Sequence, residues 1–144
     1  MLNRRSLTMG GLVFAAASSW ARIGRAQAGR PMLVFVGHEL SGGCKIWRAQ
    51  SEPAFLKSAA FKKLDYRVVH PANASLILEA QYWPADARWV LADFLASDEG
   101  KQRGDWTPRF ILAQDHKIVF TATGNDGWKQ KMWPRILEIT GTSA

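Results

Sequence analysis

Met32-Leu33-Val34-Phe35-Val36 is an unbroken apolar run between Pro31 and Gly37, the pattern of a short strand covered on both faces. Gly42 and Gly43 then allow a tight turn. From Cys44 to Leu64 the only turn signal is Pro53, so the segment reads as helix, kinked or restarted at Pro53 with Ser51 as N-cap. Tyr66-Arg67-Val68-Val69-His70 is β-branched and closed by Pro71, which predicts a second strand. Between Pro84 and Ala96, Val90 and Phe94, and Leu91 and Leu95, recur four apart and predict a helical stripe with Pro84 in its first turn. Lys101 to Asp105 reads as a polar loop. Arg109 to Ala113 and Lys117 to Thr123 are strand-like runs joined by Gln114-Asp115-His116, a hairpin connection, and Gly124 to Gly127 closes the second run. Trp128, Met132, Ile136 and Ile139 are spaced as one face of a final helix, with Pro134 as its expected kink.

The predicted order is strand, helix, strand, helix, strand, strand, helix. A strand-helix-strand opening implies a right-handed parallel crossover, and the closing hairpin adds antiparallel pairing. The fold class is therefore α/β, a single domain with a mixed four-stranded sheet flanked by helices.

The segment before Gly29 stands apart. Arg4 and Arg5 precede an uncharged stretch from Ser6 to Ala21, and Ala26-Gln27-Ala28 has the small-x-small form of a cleavage site. The stretch falls short of the ~20 apolar residues of a spanning helix, so a cleaved export signal is preferred over an anchor. Asn3-Arg4-Arg5-Ser6-Leu7 resembles the twin-arginine signal, although Asn3, Leu7 and Thr8 depart from its commonest residues; an ordinary secretory signal is the alternative. The resemblance implies export of a folded protein across a bacterial inner membrane, and a periplasmic location.

Removing residues 1–28 changes the charge balance. The whole chain carries +7, but four of its nineteen bases (Arg4, Arg5, Arg22, Arg25) and none of its twelve acids lie in the leader, leaving fifteen against twelve and a net +3. That is not a nucleic-acid signature. Lys57, Lys62 and Lys63 read as one solvated helix face. No membrane span is expected in the mature chain, whose 116 residues from Gly29 suit one core.

Cys44 is the only cysteine, so no internal disulfide can form. It lies in Ser41-Gly42-Gly43-Cys44 at the predicted start of the first helix, where unsatisfied amides and the helix dipole suit a thiol nucleophile. Together with the element order and Trp106-Thr107-Pro108 entering the third strand, this resembles the thioredoxin-like superfamily over Pro31 to Ile139. Ser41-Gly42-Gly43-Cys44 takes the place of that family's Cys-x-x-Cys. Cys44-Lys45-Ile46-Trp47 is similar to the Cys-x-x-Trp of some periplasmic members, and Thr107-Pro108 resembles the family's cis-proline dipeptide.

The resemblance implies a substrate groove bounded by Gly42, Gly43, Trp47, Trp106, Thr107 and Pro108. Ten steps separate Val34 from Cys44, which places Cys44 in the resolving position and Ser41 in the attacking one. A hydroxyl cannot replace a thiolate in disulfide exchange, so a dithiol cycle is closed to the monomer. Three readings follow: mixed disulfides between Cys44 and a protein or small-thiol partner; a redox-inactive binding or chaperone-like module with Cys44 as a packed small hydrophobe; and copper held by Cys44 with His38, His70 or His116. An odd cysteine in an exported chain also allows a disulfide-linked homodimer. No cofactor is implied. His70 at a strand end and His116 in a hairpin are expected to be structural, Glu39 and Asp105 to be solvated loop charges, and most tryptophans to be core.

Overall fold

The computed structural model describes residues 29–102 and 107–144. Strand β1 (Met32–Val36) pairs in parallel with β2 (Asp65–Val69) and antiparallel with β3 (Arg109–Gln114), which pairs antiparallel with β4 (Lys117–Thr123). The strand order is β2-β1-β3-β4, the mixed sheet expected from the element order. Because side chains alternate along a strand, the central strands feed two cores. Leu33, Phe35, Phe110 and Leu112 face Cys44, Trp47, Phe55, Trp128, Met132 and Ile136. Val34, Val36, Val69 and Ile111 face Ile77, Trp83, Val90, Leu91 and Phe94. Each face is thus closed by helices, which is why the β1 sequence carries no polar position.

The first helical stretch is two helices, α1 (Gly42–Gln50) and α2 (Glu52–Lys57), followed by a 3-10 turn at Phe61–Lys63. The break falls where Pro53 predicts it, with Pro53 in the first turn of α2. The expected role of Ser51 is corrected: its backbone is helical, its side chain makes no cap bond, and its N–H continues the ladder to the Trp47 carbonyl at 2.8 Å. Glu52 joins three elements, accepting from Arg48 Nε at 3.1 Å and from the Tyr66 hydroxyl at 2.6 Å. Burial, followed by the Glu52 carboxylate, pushes the Tyr66 phenol well above its ordinary range.

The second stripe begins with a 3-10 turn at Ala85–Ala87 and becomes α3 (Arg88–Ala96). Val90, Leu91 and Phe94 are buried, but Leu95 is 37 % exposed and outside the core. A short α4 (Asp98–Lys101) takes up the beginning of the expected polar loop, capped by Ser97 Oγ accepting from the Gly100 N–H. The glycine stretch closes β4 at Thr123 and is itself helical: α5 (Gly124–Gly127) runs into a π turn (Trp128–Met132) and then α6 (Trp133–Thr140). The kink expected at Pro134 takes the form of a change from π to α spacing, with Pro134 in the first turn of α6, where its missing N–H costs little. No helix among the described residues is long and apolar enough to cross a membrane.

Candidate functional site

The loop between β1 and α1 is fixed by backbone bonds from Gly37 to the Val69 carbonyl (2.9 Å) and from Glu39 to the Pro71 carbonyl (3.0 Å). It delivers Ser41 to the N-cap of α1, in extended conformation, and Cys44 to the third position of the first turn. Ser41 Oγ accepts from the Cys44 N–H at 3.2 Å, satisfying one of the amides that a helix start leaves unpaired. The same oxygen accepts from Thr107 Oγ1 at 3.2 Å. Ser41 therefore caps the helix and ties it to the residue before Pro108.

Cys44 is completely buried. A Cβ placed on Gly37 would come within 2.5 Å of the Cys44 sulfur and 3.0 Å of Phe35 Cζ, so the glycine backbone lies directly against the thiol. Gly43 has a matching constraint, since a Cβ there would meet Pro108 Cδ at 3.0 Å. Asn125 Nδ2 donates to the Gly43 carbonyl at 3.1 Å, and the Gly124 N–H donates to the Pro108 carbonyl at 2.8 Å. Thr107-Pro108 is cis, as the resemblance implies. The turn, the proline dipeptide and the start of α5 thus form one interlocked unit.

Trp47 does not line a surface groove. It is fully buried, stacked on Phe35 at 4.7 Å and meeting Trp128 edge-on at 5.0 Å. The apolar groups presented near the turn are instead Leu40, 73 % exposed, and Ile46, 48 % exposed. Trp106 lies outside the described residues, as does Asp105; Glu39 is exposed. A cavity of about 220 Å³ lined by Gln50, Ser51, Phe55, Trp128 and Trp133 lies at the far end of α1 from Cys44.

The histidines occupy separate settings. His38 is buried in the β1–α1 loop, and its Nδ1, like Trp47 Nε1, has no hydrogen-bond partner among the described residues. His70 packs against the Phe35 ring at 6.0 Å. Burial and then the Arg48 guanidinium hold His70 below its ordinary range, with Glu39 opposing them. His116 is exposed in the β3–β4 turn and stacks on Trp89 at 4.0 Å. Among the described residues, no three His, Cys, Asp or Glu side chains come together as a metal site. A disulfide-linked dimer is likewise unsupported, because the only thiol is sealed inside the domain.

Three residues at this site escape a reading of the sequence alone. Gly37 is readable there only as a strand boundary, and Asn125 only as part of a glycine turn. Leu40 has no periodic neighbour to mark it. Ser41 does carry a signal, a serine just before two glycines and a helix, which is the standing of an N-cap as much as of a degenerate active site.

The strand order, the cis Thr107-Pro108 bond and the cysteine in the first turn of α1 define a thioredoxin-like α/β domain. Among solved structures the chain is similar to the thioredoxin Mala s 13 of Malassezia sympodialis, with 16 % identity, a TM-score of 0.49, and coverage of 85 % of this chain and 89 % of that one. It is also similar to the periplasmic thioredoxin SoxS of Paracoccus pantotrophus in its reduced form, with 14 % identity, a TM-score of 0.47, and coverage of 77 % and 96 %. No protein-family model matches the chain, and neither does any curated protein sequence.

Proposed function

We propose that the chain is an exported, redox-silent thioredoxin-fold module that holds a protein partner on the face around Leu40, Gly42 and Ile46, with Cys44 as a packing residue beneath it. The observation that carries this reading is the burial of the thiol. Exchange needs a sulfur that can be approached by another sulfur, whereas Cys44 is fully covered and sits against the Gly37 backbone. Ser41, which the resemblance sets in the place of the attacking thiol, has its hydroxyl engaged as a helix cap. Leu40, in the loop before α1, and Ile46, within α1, supply exposed apolar surface, the composition of a contact face more than of a solvated one. Export to the periplasm rests on the Arg4-Arg5 leader and the Ala26-Gln27-Ala28 motif.

The competing reading, mixed disulfides through Cys44, draws on the place of the thiol in the first turn of α1. Chemical crosslinking of the exported protein in its own compartment separates the two. The proposal expects Cys44→Ala to capture the same partner as the natural chain, and Leu40→Asp to lose it. Loss of capture by a folded Cys44→Ala variant would instead assign the interaction to sulfur chemistry.

A further inference from the structure

The residues just before β1 are anchored at the end of the domain away from Cys44. The Gly29 nitrogen lies 2.8 Å from Asp115 Oδ1, and Gln114 Nε2 donates to the Gly29 carbonyl at 3.1 Å. Arg30 reaches in the other direction, to Asp65 Oδ1 at 3.3 Å and to the Leu64 carbonyl at 3.0 Å. The acceptor is well defined by its backbone. Asp115 and His116 have φ of 51° and 59°, the paired left-handed conformations of a tight turn between antiparallel strands, and this turn brings the Asp115 carboxylate to Gly29. In sequence, Gly29 is the residue directly after Ala26-Gln27-Ala28, the small-x-small motif of the leader. Two independent observations therefore meet at one nitrogen.

We propose that the Ala28–Gly29 peptide bond is the processing site and that Asp115 and Gln114 form a receptor for the amino terminus released there. Hydrolysis by a membrane signal peptidase adds water across the bond: the hydroxyl goes to the Ala28 carbonyl carbon, and the Gly29 nitrogen leaves as an amine that takes up a proton. A neutral amide bonded to a carboxylate becomes an α-ammonium bonded to the same carboxylate. The contact gains charge and donors, which strengthens it. The other charged or titratable groups around this end are Arg30, Asp65, His116 and Lys117. Arg30 is engaged by Asp65, so Asp115 is the acid in contact with the new terminus. Processing thereby fastens the start of β1, a central strand, to the β3–β4 hairpin.

This inference rests on the export reading, and its test keeps the two separate. The full chain is produced in a bacterium with twin-arginine export, the exported fraction is isolated, and its first residue is read by mass spectrometry. The amine is then acylated near pH 7 in the natural chain and in Asp115→Asn, a change suited to the turn because asparagine accepts left-handed backbone. The expected result is a chain beginning at Gly29 whose amine reacts about two- to fivefold more slowly than that of Asp115→Asn, the range of a surface ion pair. Export with a different first residue overturns the processing site and leaves export standing. A chain that stays in the cytoplasm with Met1 in place overturns both. A Gly29 terminus that reacts equally in the two proteins overturns the receptor.

Discussion

Adding a single methyl group at Gly37 should destabilise the domain through Cys44. A Cβ there would lie 2.5 Å from the Cys44 sulfur, 3.0 Å from Phe35 Cζ and 3.3 Å from Cys44 Cβ, and Gly37, Phe35 and Cys44 are all buried. The first distance is far inside van der Waals contact, so the sulfur or the loop must move. Overpacking of this kind costs about 1–3 kcal/mol, offset by about 0.4–1 kcal/mol because alanine restricts the unfolded chain more than glycine does. The net expectation for Gly37→Ala is a loss of about 1–2 kcal/mol. Cys44→Ala alone removes one buried heavy atom and should cost about 0.5–1.5 kcal/mol, as other single-atom truncations do. In the double variant the worst clash is absent while the Phe35 contact remains. The two effects should then fall short of additivity by about 1 kcal/mol, within the usual range for residues in contact. Urea unfolding of the four proteins at constant slope measures this coupling directly. Strict additivity, or a Gly37→Ala variant as stable as the natural chain, would refute the packing assigned to the thiol.

Removing the cap with Ser41→Ala should lower stability by about 0.5–2 kcal/mol, read as a lower urea midpoint, because it leaves the Cys44 amide without its acceptor. If Ser41 occupies the attacking register, Ser41→Cys should close an intramolecular disulfide with Cys44 under mild oxidation, seen as the loss of both thiols to alkylation; two persistently free thiols would contradict that register. His70 is held below its ordinary 6.5, first by burial and then by Arg48. The unfolded chain therefore takes up a proton before the folded one as the medium is acidified, and stability should fall as pH drops from about 6.5 toward the folded value. His70→Phe, which keeps a ring against Phe35, should flatten that slope in denaturation curves taken across the range.

The sheet was legible because its strands announce themselves. Met32–Val36 is apolar throughout because it is covered on both faces, and the hairpin runs end at turn residues. The divided final helix was less legible, since periodicity from Trp128 to Ile139 does not reveal that the turn from Trp128 to Met132 is π-spaced. At the site, the resemblance groups Ser41, Gly42, Gly43, Cys44, Thr107 and Pro108, and all of these but the exposed Gly42 are linked by direct contacts. What sequence could not supply was depth. Whether a helix-start cysteine faces solvent or core depends on what the preceding loop lays over it, and Gly37 does so through a fold-back that no local pattern records. Trp47 illustrates the same limit, as an aromatic three residues after the cysteine can line a groove or stack on Phe35, and here it stacks.

The most direct test of a sealed thiol is the rate at which Cys44 reacts with a disulfide reagent near neutral pH in the folded protein, compared with the same chain in denaturant. With the sulfur at 0 % exposure, the folded rate should be at least about 100-fold slower than the unfolded one, limited by opening of the α1 start. A folded protein that reacts as fast as the unfolded chain, or faster, would contradict the redox-silent account and return Cys44 to chemistry.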